Sequence, residues 1–475
     1  MRQIRNCERR FARHPAARPA SRAPDSAGSN IPTKTATVAI TTRVSMSVKP
    51  RRTIALYGTA GVRCMRRTLT PGKLPRAASQ GELPVPLTSL LFLALGHLAV
   101  PAAAPPAAPE IARFTVRDGY AVTLAAELRG ARFLEVDDKG TLFVSRPGQG
   151  DITAFTDADG DGFHEARTTF VKDRKTVHGM DWHDGWLWFT TSGSVQRARD
   201  ADGDGVAEEV VEVIPDGRLP RSGGHWWRSI LVTDDHLYTS IGDSGNITDE
   251  TTTDRQKIWR FAHDGSGKTL FASGIRNTEK LRLRPGTAEV WGCDHGSDIF
   301  GTKLGESDAQ PVTDLNPPCE LNRYEQGAFY GHPFVTGMRT PRYEFADRRD
   351  IVEIAARTTV PRFALGAHWA PNGHCFVDPA VNERTRALPA DHAGDLFVAF
   401  HGSWNSSVKV GYQVARVLFD AGEPYGMLPI VTTVDDGKVS ARPVDCVQAL
   451  DGSILWSCDA NGRVYRLRSA PPKAP

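Results

Sequence analysis

The chain has 475 residues, 24% of them charged and 40% hydrophobic, with a formal net charge of +3. The charge is unevenly placed. Residues 1–82 hold 17 Lys and Arg against Glu8, Asp25 and Glu82, a net of +14, so the remainder carries −11. The basic excess belongs to the leading segment and gives no ground for a nucleic-acid partner.

Residues 1–83 are rich in Arg, Ala, Ser and Pro and lack hydrophobic periodicity. They read as a disordered leader, or as translation from an upstream start with Met46 or Met65 as the true one. Residues 84–104 contain an uncharged run from Pro86 to Val100 followed by Pro101-Ala102-Ala103-Ala104. That run is short for a membrane span and suits a secretory h-region with a small-residue cleavage site. Export to the periplasm or the medium is expected, with membrane contact only through an uncleaved leader.

The remaining ~370 residues, 105–475, suffice for six blades of about fifty to sixty residues. One hairpin is written six times between Ala131 and Leu467. Its turns are Asp138-Lys139-Gly140, His183-Asp184-Gly185, Thr233-Asp234-Asp235, Pro285-Gly286-Thr287, a longer one ending Gly394-Asp395, and Asp451-Gly452-Ser453. The strands leaving them read TLFVS, WLWFT, LYTSI, EVWGC, LFVAF and ILWSC, and third strands follow as DITAF, SVQRA, KIWRF, ELNRY, YQVARV and RVYRL. Repeated strand-turn-strand units without helical periodicity predict an all-β, six-bladed propeller of four-stranded antiparallel blades.

The same repeat predicts where function lies. Antiparallel pairing brings residues before the first strand of a hairpin beside residues after its second, and radial packing gathers these open ends at one mouth. His178 precedes the second hairpin. His225 precedes the third and Asp243 follows it. Arg276-Asn277 precedes the fourth, and Asp294-His295-Gly296-Ser297-Asp298 follows it. His368 and His401-Gly402-Ser403-Trp404-Asn405 flank the fifth, and Arg442 and Asp459 the sixth.

His225 and Asp243 pair an imidazole with a carboxylate, as a general base and its orienting group require, or as a structural hydrogen bond closing a blade. Arg276 offers a guanidinium to an oxyanion or a cofactor carboxylate, or a salt bridge to the loop opposite. Trp404, like Trp226, Trp227 and Trp369, offers a flat face to a sugar or planar cofactor, or packing between blades. Asp157, Asp159, Asp161 and Asp200, Asp202, Asp204 lie in two Asp-x-Asp-Gly-Asp-Gly loops matching the first half of an EF-hand loop. Glu165 and Glu208 stand at the ninth position, and no Glu stands at the twelfth; the loops are candidate structural Ca²⁺ sites or solvated acidic turns. Five cysteines follow the leader. Cys293 with Cys319, and Cys446 with Cys458, are placed to meet, leaving Cys375 a buried thiol.

Four stretches, HWWRSILVTDDHLYTSIGDSGN, FASGIRNTEKLRLRPGTAEVWGCDHGSD, PPCELNRYEQGAFYGHPF and GDLFVAFHGSWNSSVKVGYQVARV, resemble the glucose/sorbosone dehydrogenase family. These are the soluble sugar dehydrogenases that use pyrroloquinoline quinone (PQQ), and the last stretch is similar to their sorbosone dehydrogenase-like branch. The resemblance implies a six-bladed propeller with PQQ and Ca²⁺ as cofactors and base-assisted hydride transfer from an aldose or sugar-derived aldehyde. It implies His225 as base with Asp243 orienting it, and Arg276 and Asn277 at the quinone oxygen. Gly296 and Ser297 would ligate catalytic Ca²⁺ through main-chain carbonyls, and Arg442 would sit at a PQQ carboxylate. His178, Lys409 and Trp404 complete the expected cofactor set. An external quinone or cytochrome would take the electrons. Two other readings are a Ca²⁺-dependent lactonase-like hydrolase and a non-catalytic propeller binding a glycan or protein. The mouth is richer in His and Arg than the several acidic ligands the hydrolase chemistry prefers.

Overall fold

A computed structural model describes residues 106–300 and 311–471. The leader and h-region expected over 1–83 and 84–104 lie outside these residues. Six sheets follow one another along the chain, and their first strands contact each other in a closed ring around a central axis. The ring is formed by Leu134–Val136, Met180–His183, Leu231–Val232, Thr278–Leu283, Pro371–Phe376 and Pro443–Gln448. All six predicted hairpins are present. Their second strands include WLWFT (Trp186–Thr190), LYTSI (Leu237–Ile241) and ILWSC (Ile454–Cys458). These strands are buried along almost their whole length because neighbouring blades cover both faces, so they read as apolar runs instead of alternating. Trp188, Trp291 and Trp456, on the second strands of blades two, four and six, are fully buried and fill the wedges between blades. No helix among the described residues is long and apolar enough to cross a membrane.

The ring closes through its last blade. The strand Tyr120–Glu127 pairs antiparallel with Arg463–Ser469, Val122 opposite Leu467 and Glu127 opposite Arg463. The strand Tyr120–Glu127 thus becomes the outer strand of the sixth sheet, while the short strand before it, Thr115–Val116, pairs with Glu423–Thr432 at the edge of the fifth.

Charges occupy the axis. Lys280, from the first strand of blade four, binds both carboxylate oxygens of Asp445 in blade six at 2.7 and 2.8 Å, and both residues are buried. Two residues on, Arg282 reaches Glu135 in blade one at 2.5 Å and Asp181 in blade two at 3.5 Å. One strand therefore tethers three other blades.

The expected disulfides are absent: all five cysteines among the described residues are buried free thiols. Cys293 faces Leu321 across its strand pair, so Cys319 is two residues out of register with it. Cys446 instead directs its thiol to the Phe397 carbonyl in the next blade.

Removing one partner of a buried ion pair strands the other charge at a cost of ~3–5 kcal/mol. Lys280→Met should therefore lower stability in denaturant unfolding by that amount, and Lys280→Met/Asp445→Asn should recover a large part of the loss. A Lys280→Met protein as stable as wild type would show that the axial pair is dispensable.

Candidate functional site

The open ends of the hairpins surround a cavity of about 320 Å³ at one end of the axis, within the ~300–1,000 Å³ range of small-molecule pockets. Its wall includes Arg132, His225, Trp227, Arg276, Asn277, His295, His401, Trp404 and Arg442. Each stands where a strand of a blade begins or ends.

His225 lies against the second strand of its own blade. Gly242 makes this approach feasible: a Cβ there would come within 2.9 Å of the His225 Cβ and 2.7 Å of the Arg276 carbonyl. The Nδ1 of His225 is 2.8 Å from the main-chain carbonyl of Asp243. A carbonyl only accepts, so Nδ1 carries the proton and Nε2 is left as the acceptor on the cavity side. Burial, then the charge of Arg276, push the His225 pKa down to about 3, so the ring is neutral.

The expected side-chain pairing of His225 with Asp243 is not what forms. The Asp243 carboxylate turns away and takes Nε2 of His332 at 2.7 Å, with Gly245 N, Thr248 N and the Gln256 amide on its other lone pairs. Burial opposes its ionisation, yet these donors, His332 foremost, hold the carboxyl well below the usual carboxylate range. Asp243 orients His225 through its backbone and His332 through its side chain. His332 itself is buried, which lowers its pKa to about 4.

Arg276 is almost fully committed. Nε donates to the Asn246 carbonyl at 2.9 Å, Nη2 to Asn246 Oδ1 at 2.8 Å, and Nη1 to the Gly296 carbonyl at 3.0 Å, with Asp298 at 3.3 Å. One Nη1–H remains for the cavity. Asn277 departs from its expected role, because both amide hydrogens point to protein acceptors, Glu279 Oε1 at 3.1 Å and His295 Nδ1 at 3.3 Å. Gly296 lines the cavity with one lone pair of its carbonyl on Arg276, whereas Ser297 lies behind it, its hydroxyl accepting from Arg342.

Arg442 donates to His401 Nδ1 at 3.0 Å, and His401 Nε2 is held by Asp459 at 3.1 Å. Arg132 completes this chain, reaching Asp459 at 2.9 Å and Glu279 at 3.3 Å while its guanidinium lies 4.1 Å over the Trp227 ring. Trp404 is 65% exposed at the rim, its face free.

Two expected cofactor residues stand outside the cavity. His178 is buried between Phe133 and Trp227, its Nε2 3.5 Å from Glu279, and so lies beneath the floor. Lys409 is exposed beyond the wall. The two acidic loops are also remote, joining the third and fourth strands of blades one and two. They share one conformation: Asp157 caps Gly160 and Gly162 as Asp200 caps Gly203 and Gly205. Carboxylate oxygens of Asp157, Asp159 and Glu165 gather within 4.8 Å, as do those of Asp200, Asp202, Asp204 and Glu208. Asp161 stays outside its group and caps Phe163.

Arg132 and His332 were not singled out from sequence. Arg132 precedes the first hairpin as His178 precedes the second, so the strand-end rule applied one repeat earlier finds it. His332 comes from an insertion between the third and fourth strands of blade four, which the rule does not reach.

Fold and mouth together define a six-bladed propeller with a cationic, histidine-rich axial site. Residues 114–470 match the family model described as TrAA12-like, and the chain belongs to that family. Among solved structures it is similar to the calcium structure of a Trichoderma reesei family AA12 carbohydrate-active enzyme, with TM-score 0.65 and 18% identity over 75% of this chain and 97% of that one. It is also similar to the holo form of the pyranose dehydrogenase PQQ domain of Coprinopsis cinerea, with TM-score 0.64 and 19% identity over 78% and 99%. The soluble aldose sugar dehydrogenase of Escherichia coli, in its apo form, aligns with TM-score 0.52 and 16% identity over 74% and 100%. A Borreliella burgdorferi protein of uncharacterised function is 29% identical over 211 residues, 42% of this chain, so the chain spans about half (48%) of that relative. The resemblance to PQQ-dependent sugar dehydrogenases read from the motifs therefore holds at the level of family and fold.

Behind Arg276 and Gly296 a narrow recess holds two facing carboxyl groups, Asp294 and Glu320, paired across adjacent strands. Burial raises Asp294 to about 6, and burial with the neighbouring Asp294 raises Glu320 to about 8. Below pH ~4.5 Glu320 is protonated folded or unfolded and has no effect; between there and about 8 only the folded state keeps the proton, so stability falls as pH rises. Glu320→Gln should flatten this fall, gaining on the order of 1–3 kcal/mol relative to wild type between pH 5 and pH 8 in urea titrations. An equal pH dependence in both proteins would remove Glu320 from the explanation.

Proposed function

We propose that the chain is an exported, PQQ- and Ca²⁺-dependent dehydrogenase that oxidises an aldose or a sugar-derived aldehyde. The observation that carries this reading is His225, a neutral imidazole whose Nδ1–H is fixed on a backbone carbonyl and whose Nε2 is left to the cavity. A base must have its lone pair aimed at the reacting hydroxyl, and the tautomer enforced by Asp243 supplies that.

The donor set of the cavity suits an anionic, flat cofactor. Arg442 keeps uncommitted N–H groups, Arg276 keeps one, and the exposed indole of Trp404 stands at the rim of the space. The Arg132 Nε is buried without a partner. Gly296 lines the cavity, and its main-chain carbonyl, with that of Ser297 next to it, would serve a cation there. PQQ, when bound, supplies the two-electron acceptor that takes hydride from the sugar carbon.

The protein's part is to hold and move a proton. His225 Nε2 takes it from the anomeric or hydrate hydroxyl, and the Asp243 carbonyl stabilises the resulting imidazolium through Nδ1–H. Arg276, fixed by Asn246 and Gly296, presents a preorganised donor where negative charge gathers. In this reading the remote acidic loops hold structural Ca²⁺, with Glu165 and Glu208 as ligands, and an external quinone or cytochrome takes the electrons.

His225→Gln should lower turnover with aldoses by ~10²–10⁴-fold while leaving PQQ binding intact, measured by dye reduction and by absorbance titration. Turnover near the wild-type rate would dismiss His225 as the base.

Because the His225 pKa lies near 3, kcat/KM should stay level from pH 8 down to about 5. An acid limb centred near 6.5 would mean that an unperturbed histidine, and not His225 as placed here, carries the base.

A further inference from the structure

A second, larger recess of about 860 Å³ lies on the same face as the mouth, over blade two. The two spaces share a wall: Trp227 lines the central cavity, Trp226 lines the groove, and their rings pack together with centroids 3.6 Å apart at a tilt of 34°. A ligand leaving the cavity past Trp227 meets Trp226 next.

The groove is built. Arg174 Nε donates to Gln196 Oε1 at 2.7 Å, Gln196 Nε2 to Ser194 Oγ at 3.0 Å, and Ser194 shares a 2.8 Å hydrogen bond with Thr191, giving an ordered polar floor. Three non-glycine residues along its edge, Asp173, Thr176 and Ser222, have φ of +59°, +66° and +58°. For a β-branched threonine this is a genuine outlier, and such strain collects where a ligand is held. Thr176 is pinned there by the Ser192 amide, which donates to its hydroxyl at 3.0 Å.

Charge selects the ligand. Arg174, Lys175 and Arg221 are balanced by Asp173, Glu212 and Asp216, so the groove favours a neutral molecule, unlike the cationic cavity. An indole face beside ordered hydroxyl, amide and guanidinium groups suits a pyranose ring, whose C–H face stacks while its hydroxyls hydrogen-bond.

We propose that this groove is an outer subsite for a neutral oligosaccharide whose terminal sugar enters the central cavity. The proposal rests on the sugar-oxidising reading of that cavity and makes the natural substrate a glycan of two or more units.

The test compares glucose with cello- and malto-oligosaccharides of two to four units, using wild type, Trp226→Ala and Val210→Trp. Val210 lines the groove away from the cavity, and a tryptophan there fills it. On PQQ-loaded protein, one oligosaccharide series should show kcat/KM about tenfold or more above glucose. Both variants should lose that advantage through KM, with Val210→Trp leaving glucose turnover within about twofold of wild type. Intrinsic fluorescence titration of the protein without PQQ should show the tetrasaccharide binding more tightly than glucose, and Val210→Trp should abolish the difference. If no sugar of any length is oxidised but the tetrasaccharide binds in the groove, the reading of the cavity fails and the subsite stands. If glucose is oxidised as well as every oligomer and fluorescence finds no preference for length, the subsite is overturned. Equal losses on glucose and oligomers in Val210→Trp would also overturn it.

Discussion

Everything at the mouth depends on how blade four is tied across the axis. Lys280 and Arg282 leave one face of a single strand, two residues apart, and end on Asp445, Glu135 and Asp181 of three other blades. Charges this deep are tolerated only when paired, which makes the alignment of four blades specific as well as stable. Arg276, Asn277 and Glu279 belong to the same run of chain, at and just before the start of that strand. Fixing its position on the axis therefore fixes the guanidinium and the carboxylate that face the cavity. Glu279 adds to this from the same strand, taking Arg132 of blade one at 3.3 Å.

His225 is positioned by main chain instead of by a carboxylate. A carbonyl hydrogen bond sets the tautomer of His225, and burial with the positive charge of Arg276 outweighs the opposing pull of Asp243 on the ring. The Asp243 carboxylate is spent on His332, Gln256 and two backbone amides, so it braces the loop from Gly242 to Thr248 against the insertion carrying His332. The site is thus braced by ionic contacts around it while the His225 imidazole stays neutral.

Much of this was legible in the sequence because a propeller repeats its grammar. The turn residues mark every hairpin, and antiparallel pairing assigns the strand ends to one mouth; His225, Arg276, His401 and Arg442 all fall there. Four things escaped for physical reasons. Adjacent strand ends suggested a His225–Asp243 side-chain contact, but a carboxylate has several lone pairs, and a histidine 89 residues away competes for them. His178 obeys the strand-end rule yet is buried against Phe133 and Trp227, with Nε2 turned to Glu279. The cysteines looked paired by position, but strand register puts Cys319 opposite no thiol. The strand YAVTLAAE carries no turn signal linking it to a blade, and only closure of the ring gives it a partner.

That closure has a kinetic side. Tyr120–Glu127 and Arg463–Ser469 are joined across more than three hundred residues, the sort of distant pairing that slows folding because chain entropy is lost before contacts repay it. The seam it seals runs past the mouth, where Arg132 from blade one reaches Asp459 of blade six, which in turn holds His401 of blade five. A polypeptide still lacking its last hairpin has no Asp459 for Arg132 and no Arg442 beside His401. The cavity is therefore one of the last features to mature, and an anion bridging Arg132 and Arg442 would act as a clasp on the seam, resisting the peeling of the strand Tyr120–Glu127.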